Sequence, residues 1–253
     1  MVTIIVNTKG GTGKSLISFQ VLSLVLKDFK IYELDDHNNT AASFINSDIL
    51  KDKTQNSTID KAEDLLDDIF FEAQTKPDLN IIIDVGGGSD TQKLLEYIKQ
   101  QPLQNSIKYL IPITAADSAE NMIETYNMIP KSENIHFILN SYMTNDLKSE
   151  FLFFFGDKKL GINSLESELN KKLKYFKIPF SNFFIISKTK YKMTITDLAS
   201  KSKDLSTEEA SKSILEAAAG DSEKYKMMYN QYRVSLKTAD LCKTIKDNLS
   251  DFK

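Results

Sequence analysis

A glycine-rich stretch near the start of the chain, Val6-Asn7-Thr8-Lys9-Gly10-Gly11-Thr12-Gly13-Lys14-Ser15, most limits what the chain can fold into. It follows the short apolar run 2–6 and precedes a helical pattern over about residues 14–27, which is the strand, loop and helix order of a phosphate-binding loop. Glycines let successive backbone N–H groups converge on an anion, and the first helical turn directs its positive dipole end at the same point. The stretch therefore predicts an α/β fold that binds nucleotide phosphates at residues Gly10, Gly11, Thr12, Gly13, Lys14 and Ser15.

Two side chains of this loop have separate expected roles. Lys14 is expected to place its ammonium group at the β- and γ-phosphates, and the Ser15 hydroxyl to hold Mg²⁺. The alternative is a glycine-rich turn that only connects a strand to a helix.

The spacing departs from the ordinary G-x-x-x-x-G-K-[ST] pattern, because Thr8 takes the place of the first glycine and Lys9 precedes the glycine pair. The run KGGTGKS resembles the deviant Walker A box of the ParA/MinD family of dimeric ATPases. The resemblance implies a P-loop NTPase fold, with a mostly parallel twisted sheet and helices on both faces. It also implies ATP and Mg²⁺ as cofactors, and a homodimer in which Lys9 reaches the nucleotide of the partner subunit. A solvated loop lysine is the alternative for Lys9.

Acidic residues follow the second expected strand, over about residues 30–34. By its resemblance to the D-x-D-P-Q-G-N-like motif of the family, Glu33 takes the place of the first acid and Asp35 that of the second. Asp35 is then expected to orient the attacking water and to contact the Mg²⁺ water shell. Asp36 and His37 replace the Pro-Gln of the family, and Asp36 is the fallback if the loop register differs. The same residues also suit a turn and a helix cap.

Two further strand ends complete the expected site. The apolar run 79–83 ends in Asp84, as a Walker B aspartate is delivered to Mg²⁺ at the carboxyl edge of a parallel sheet. Residues 85–90 are expected to form a switch segment that senses the γ-phosphate. Asn140 ends a strand predicted over 135–140, and the resemblance makes it the residue that recognises adenine. A plain turn after Asp84 and a plain strand terminator at Asn140 are the alternatives.

Positive charge is concentrated late in the chain. Residues 171–203 contain nine lysines and one acid, Asp197. The family binds DNA without sequence preference through a basic surface in this region, and phosphate neutralisation by lysine suits that task. The expected DNA-binding residues are Lys188, Lys190, Lys192, Lys201 and Lys203, and a scattered solvated face is the alternative.

The 253 residues are expected to form one domain over 1–253. It would contain a helical insertion over about 146–176, a sixth strand over 183–186 and a helical C-terminus over about 206–253, divided near Gly220. A loop is expected before a helix over 59–74. The single cysteine, Cys242, fits a reducing compartment, and the early first strand and lack of long apolar runs favour a cytoplasmic protein.

The favoured function is an ATP-dependent dimerising switch for plasmid or chromosome partition, with a ParB-like or other partner that stimulates ATP hydrolysis. A conjugation-linked relative acting at a transfer origin would use the same chemistry. A MinD-like membrane-cycling regulator is less expected, because acids interrupt the C-terminal helix. A small-molecule ligase or kinase of the same fold would have no use for Lys9.

Overall fold

The computed structural model describes residues 1–35, 38–59, 62–101, 106–130, 133–202 and 207–252. Three residues singled out from the sequence, Asp36, His37 and Lys203, lie outside the described residues. Their expected roles stay predictions.

A parallel sheet forms the centre of the fold. Its strands are β1 (Val2–Ile5), β2 (Phe29–Leu34), β3 (Thr54–Ser57), β4 (Asn80–Val85), β5 (Lys108–Ile113), β6 (Ile135–Tyr142) and β7 (Lys174–Pro179). Their spatial order is β3-β2-β4-β1-β5-β6-β7, and every pair of neighbours is parallel. The expected α/β fold is confirmed. Because β1 lies between β4 and β5, the loop that follows β1 emerges at the middle of the carboxyl edge of the sheet.

Helices follow most of the strands. The first, α1, is built from the contiguous turns Lys14–Leu16, Ile17–Leu22 and Ser23–Val25. The others are α2 (Ala62–Thr75), α3 (Ser89–Ile98), α4 (Ala119–Met128), α5 (Leu147–Glu150), α6 (Leu152–Phe155), α7 (Leu165–Leu169), α8 (Asn182–Ile186), α9 (Ile195–Ser200), α10 (Thr207–Ala218) and α11 (Ser222–Asn248). Short 3₁₀ turns lie at Ala41–Phe44 and Ser250–Phe252, and a π-helical turn, Ser187–Tyr191, extends α8.

The helices cover both faces of the sheet, because successive strand residues point to opposite sides. Ile4 of β1 belongs to a buried core shared with α2, α3, α4, α6 and α7. Ile5, the next residue, belongs to a second core shared with α1, α8, α9 and α11. The arrangement buries all four residues of β1, including Thr3, and explains why the other three are apolar.

The strand expected over 183–186 is wrong, since these residues form most of α8. The Ser181 hydroxyl caps this helix by accepting a hydrogen bond from the Phe183 N–H at 3.2 Å. Phe184 is buried while Ile185 is exposed. The strand that follows β6 in the chain and pairs with it is instead β7, a lysine-rich edge strand. Within the helical insertion expected over about 146–176, α5, α6 and α7 are helical, but α7 ends at Leu169 and the last residues belong to β7.

The loop expected before α2 contains the edge strand β3, which pairs with β2 through the run Thr54–Ser57. The two C-terminal helices are confirmed as α10 and α11. They are divided by Gly220 at φ 86° and by Asp221, whose carboxylate accepts hydrogen bonds from the first turn of α11. Among the described residues, we find no helix with the length and hydropathy needed to cross a bilayer.

Candidate nucleotide-binding site

The glycine-rich loop connects β1 to α1 and presents open backbone at its tip. Gly11 has φ 77° and Gly13 has φ 96°, a left-handed conformation that glycine adopts at little cost. A Cβ added at Gly10 or Gly11 would meet no described atom within 4 Å, and both residues are exposed. The exposed N–H side of a loop that leads into a helix N-terminus suits an anionic ligand.

Gly13 is packed tightly, unlike the glycines at the tip. An ideal Cβ at this position would lie 2.1 Å from Asn140 Nδ2, because Asn140, in the second half of β6, packs against the loop. Asn140 Nδ2 donates a hydrogen bond to the Thr12 carbonyl at 2.9 Å, while its Oδ1 has no partner among the described residues. Asn140 thus contacts the loop, which the sequence did not predict, and its expected contact with adenine stays a prediction.

The Lys14 side chain folds back against the backbone of the glycine-rich loop. Its Nζ donates to the carbonyl oxygens of Asn7 at 3.2 Å and of Lys9 at 3.4 Å, and the residue is only 8% exposed. Burial lowers the pKa of Lys14, and the nearby carboxylates of Asp84, Asp35 and Asp90 raise it in part. The ammonium group is therefore held in the loop before any phosphate arrives.

Asp84 lies near the Lys14 ammonium group, at the end of β4, where it pairs in register with Ile5 of β1 and Glu33 of β2. It is 2% exposed, and its Oδ1 has no hydrogen-bond partner among the described residues. Burial raises the pKa of Asp84 to about 7. The hydroxyls of Ser15 and Ser18 and the charge of Lys14 lower it, whereas the charge of Glu33 raises it.

These donors fit a hard cation. A carboxylate oxygen without a partner and a serine hydroxyl beside it are oxygen ligands of the kind that Mg²⁺ prefers. Ser15 and Asp84, both predicted as metal residues, are thus close together.

Glu33 of β2 and Asp35, which directly follows this strand, have different surroundings. The buried Glu33 carboxylate accepts hydrogen bonds from the Thr40 N–H at 2.7 Å and the Ala41 N–H at 3.3 Å, so it fastens the far end of the loop after β2. The Asp35 carboxylate accepts from the Asn38 N–H and Nδ2, both at 2.9 Å. The loop after β2 thus begins at Asp35, and Glu33 binds its far end. Asp35 lies near enough to Lys14 for its charge to raise the pKa of Lys14.

The expected switch segment lies directly on the glycine-rich loop. The Gly88 N–H donates to the Thr8 carbonyl at 2.8 Å, and an added Cβ at Gly87 would lie 3.4 Å from the Gly10 nitrogen. Thr91 Oγ1 donates to the Gly86 carbonyl at 2.7 Å. A displacement of either segment would therefore reach the other through these contacts.

Lys9 forms an ion pair within its own chain. Its Nζ lies 2.7 Å from Asp117 Oδ1, whose side chain is fully buried, and donates to the Ala116 carbonyl at 3.4 Å. The neighbouring residue Thr8 is held by α4, because the Asn121 Nδ2 donates to its hydroxyl at 2.9 Å. Sequence reasoning did not assign Asp117 or Asn121 to the site. No spacing rule joins them to a loop more than a hundred positions away.

The lysines of the basic stretch fall into two groups, one near each end of β7. Lys171, Lys172 and Lys174 lie at the start of β7, and Lys188 and Lys190 lie in the π-helical turn after α8. The strand between them has six residues, about 20 Å of extended chain. Of the expected DNA-binding residues, Lys190, Lys192 and Lys201 are exposed and Lys188 is half-buried.

The turn that carries these lysines is tied to the segment after β2. The Asn46 N–H donates to the Lys192 carbonyl at 2.9 Å, and Asn46 Nδ2 donates to the Tyr191 carbonyl at 3.1 Å. The Ser47 hydroxyl donates to the buried Asp197 at 2.6 Å. Asp197, the one acid of the basic stretch, is therefore structural.

No family model matches the chain, and no curated protein sequence matches it. Among solved structures, the chain is similar to an ATP complex of a variant of McdA from Cyanothece, with 13% identity, a TM-score of 0.47 and coverage of 92% of this chain and 95% of that chain. For an apo McdA structure the identity is 13%, the TM-score 0.46 and the coverage 91% and 98%. For a chain of the MinC:MinD cell division protein complex of Aquifex aeolicus these values are 16%, 0.44, 77% and 87%.

Proposed function

We propose that this chain is a ParA/MinD-like ATPase, which binds ATP with Mg²⁺ and hydrolyses it to ADP and phosphate. One observation carries the proposal. The Lys14 ammonium is held under an open glycine loop, close to three carboxylates that arrive from β2, β4 and α3. A turn that only joined a strand to a helix would not need a buried lysine with this charge environment.

The residues of the candidate site each have a defined part in the proposed reaction. The loop N–H groups and Lys14 bind the β- and γ-phosphates, Ser15 and Asp84 hold the cation, and Asp35 orients the attacking water. When bound, Mg²⁺ would supply positive charge that offsets the negative charge of the phosphates. Catalysis of phosphoryl transfer is mainly positioning and electrostatic stabilisation, so no covalent intermediate on the protein is required.

Lys9 extends the proposal from a site to a homodimer. In the free chain its ammonium pairs with Asp117, and in the proposed dimer it exchanges this partner for the nucleotide of the partner subunit. Both partners are anionic, so the exchange does not leave the lysine without a counter-charge.

DNA binding is proposed for the turn that carries Lys188, Lys190 and Lys192. Among the described residues, none of these three lysines has a carboxylate within salt-bridge distance. Unpaired lysines release counterions when they meet phosphates, whatever the base sequence. The use we favour is partition of a plasmid or chromosome region, with a ParB-like or other partner that stimulates hydrolysis. A conjugation-linked ATPase acting at a transfer origin would use the same chemistry.

The first experiment tests the site. Phosphate release from Mg·ATP is measured for the wild type, for Lys14→Ala and for Lys27→Ala, a control at an exposed lysine just beyond α1. We expect at least a tenfold loss for Lys14→Ala and no change for the control. Equal activity of all three proteins would refute the proposed site.

The second experiment tests the dimer. Analytical ultracentrifugation with ATP or ADP should show a dimer only with ATP, and Lys9→Ala should bind ATP and stay monomeric. If Lys9→Ala dimerises and hydrolyses ATP normally, the sandwich is wrong.

The third experiment tests DNA binding by co-sedimentation with ATP or ADP across salt concentrations. Reversal of Lys188, Lys190 and Lys192 to Glu should weaken ATP-dependent binding, whereas reversal of Lys171, Lys172 and Lys174 changes the net charge equally and serves as the matched control. Equal effects of both triple reversals would mean that the turn is not the DNA-binding surface.

A parallel arm with anionic vesicles tests MinD-like membrane cycling. This function is disfavoured because the apolar face of α11, with Cys242 and Ile245, packs in the core.

A further inference from the structure

A third carboxylate, Asp90, lies beside the nucleotide site and has no role in the chemistry described so far. It belongs to the first turn of α3 and is only 5% exposed. Its Oδ1 accepts a hydrogen bond from the Ser89 hydroxyl at 3.3 Å, and no cation pairs with it within salt-bridge distance among the described residues. A buried carboxylate with so little compensation is costly unless a cation is supplied to it.

Gly86 makes room for this carboxylate. A Cβ at Gly86 would lie 2.2 Å from Asp90 Oδ2 and 3.1 Å from its Cγ, so Asp90 folds back over the backbone two residues after Asp84. The φ angle of Gly86 is not positive, and the contact with Asp90 is therefore the reason that a side chain does not fit there. This explains why a glycine follows Asp84 so closely in this chain.

The charges around Lys14 are unbalanced. The Asn7 carbonyl accepts hydrogen bonds from Lys14 Nζ at 3.2 Å and from Thr91 Oγ1 at 3.4 Å, so the first turn of α3, which contains Asp90, lies beside the ammonium group. The carboxylates of Asp84, Asp35 and Asp90 accordingly raise the pKa of Lys14. The triphosphate of ATP would add further negative charge to this group. A cation that arrives with the nucleotide would offset this electrostatic repulsion.

We propose that Asp90 is a positioning residue of the metal–nucleotide site, which faces the water shell of Mg²⁺ and makes ATP binding depend on the cation. The inference rests on the proposed function. Asp90 opposes free ATP and favours Mg·ATP, so its effect is measured by the ratio of the two dissociation constants. It has no role in proton transfer.

The competing explanation is purely structural. An acid in the first turn of a helix is stabilised by the helix dipole, so Asp90→Asn would lower stability slightly and affect free ATP and Mg·ATP equally. Only the proposed role of Asp90 predicts that Asp90→Asn changes the ratio of the dissociation constants of free ATP and Mg·ATP.

Isothermal titration calorimetry measures ATP binding in MgCl₂ and, separately, in EDTA. The ratio of the dissociation constant in EDTA to that in MgCl₂ should fall on the order of tenfold in Asp90→Asn, the size of a one-unit pKa interaction. Gly86→Ala keeps the charge but displaces it, and the ratio should fall in the same direction. Glu223→Gln removes an acid from the first turn of the distant helix α11 and should leave the ratio unchanged.

The outcomes separate the two proposals. A wild type that binds no ATP in MgCl₂ overturns the proposed function itself. A wild type with magnesium-dependent binding and an Asp90→Asn variant with the same ratio overturns only the role of Asp90. If Asp90→Asn does not fold, as judged by circular dichroism, the Gly86→Ala ratio decides in the same way.

Discussion

The three glycines of the phosphate-binding loop form a graded series of alanine substitutions. Gly10 has neither a positive φ angle nor a close neighbour, Gly11 has φ 77° and open space, and Gly13 combines φ 96° with a contact to Asn140. One amino-acid change thus samples no strain, backbone strain alone, and backbone strain with a steric clash. The stabilities of the three variants should follow this order.

The magnitudes follow from the geometry. Gly10→Ala should be neutral or up to about 1 kcal/mol more stable, because alanine restricts the unfolded chain. Gly11→Ala should lose about 1 to 2 kcal/mol, the cost of a left-handed residue with a Cβ. In Gly13→Ala the same cost applies, and Asn140 must also leave its 2.9 Å hydrogen bond to the Thr12 carbonyl, which adds about 1 to 2 kcal/mol. The expected total is about 2 to 4 kcal/mol.

Urea unfolding of the nucleotide-free chain, followed by circular dichroism, measures all three variants without any assumption about function. A repeat in an Asn140→Ala background separates the two causes. Without the Asn140 side chain, the cost of Gly13→Ala should fall to that of Gly11→Ala. If Gly13→Ala is as stable as Gly10→Ala, the conformation of the loop is wrong. If its cost is the same in both backgrounds, the contact with Asn140 is not the cause.

Two further predictions concern groups outside the loop. Burial, together with the charges of Lys108 and Lys174, lowers the pKa of His136 to about 4. The unfolded chain therefore binds more protons between pH 6.5 and 4, and the contribution of His136 to stability is complete above pH 6.5 and lost as the pH falls. Allowing for its partial exposure, we expect the urea stability of the wild type to fall by about 1 to 2 kcal/mol more than that of His136→Gln between pH 7 and 4.5, and parallel curves would contradict this. Burial also raises the pKa of the Cys242 thiol to about 12, so iodoacetamide at pH 8 should label it only in urea, and stoichiometric labelling of the folded chain within minutes would show that α11 is not packed as described.

The buried parts of the fold were predictable from the sequence, and its edges were not. Strands β1, β4 and β6 lie inside the sheet, and their apolar runs indicated them directly. The edge strands β3 and β7 carry polar and lysine side chains because one side of each strand has no neighbour, so hydrophobic patterning does not reveal them. Residues 183–186 have β-branched and aromatic composition, yet the Ser181 cap and the one-sided burial of Phe184 make them helical.

The candidate site shows a similar division. Lys14, Ser15 and Asp84 lie together as expected, because a strand end and a glycine loop have recognisable local sequences. The contacts of Asp90 with Gly86 and of Asp117 with Lys9 depend on how loops fold back at the carboxyl edge, and local sequence does not encode such meetings.

The position of β1 also bears on how the chain folds. Val2 pairs with Ile81 and Thr3 with Lys108, and the hydrogen bond between Asn140 and Thr12 spans 128 positions. Such distant pairings require closure of long loops before they contribute stability, which slows folding. β1 is synthesised before its partners β4 and β5 and must wait for them, and the nucleotide loop can reach its final form only after residue 140 has been made. During that interval an apolar strand without partners is exposed to aggregation, so the chain should refold best at low concentration.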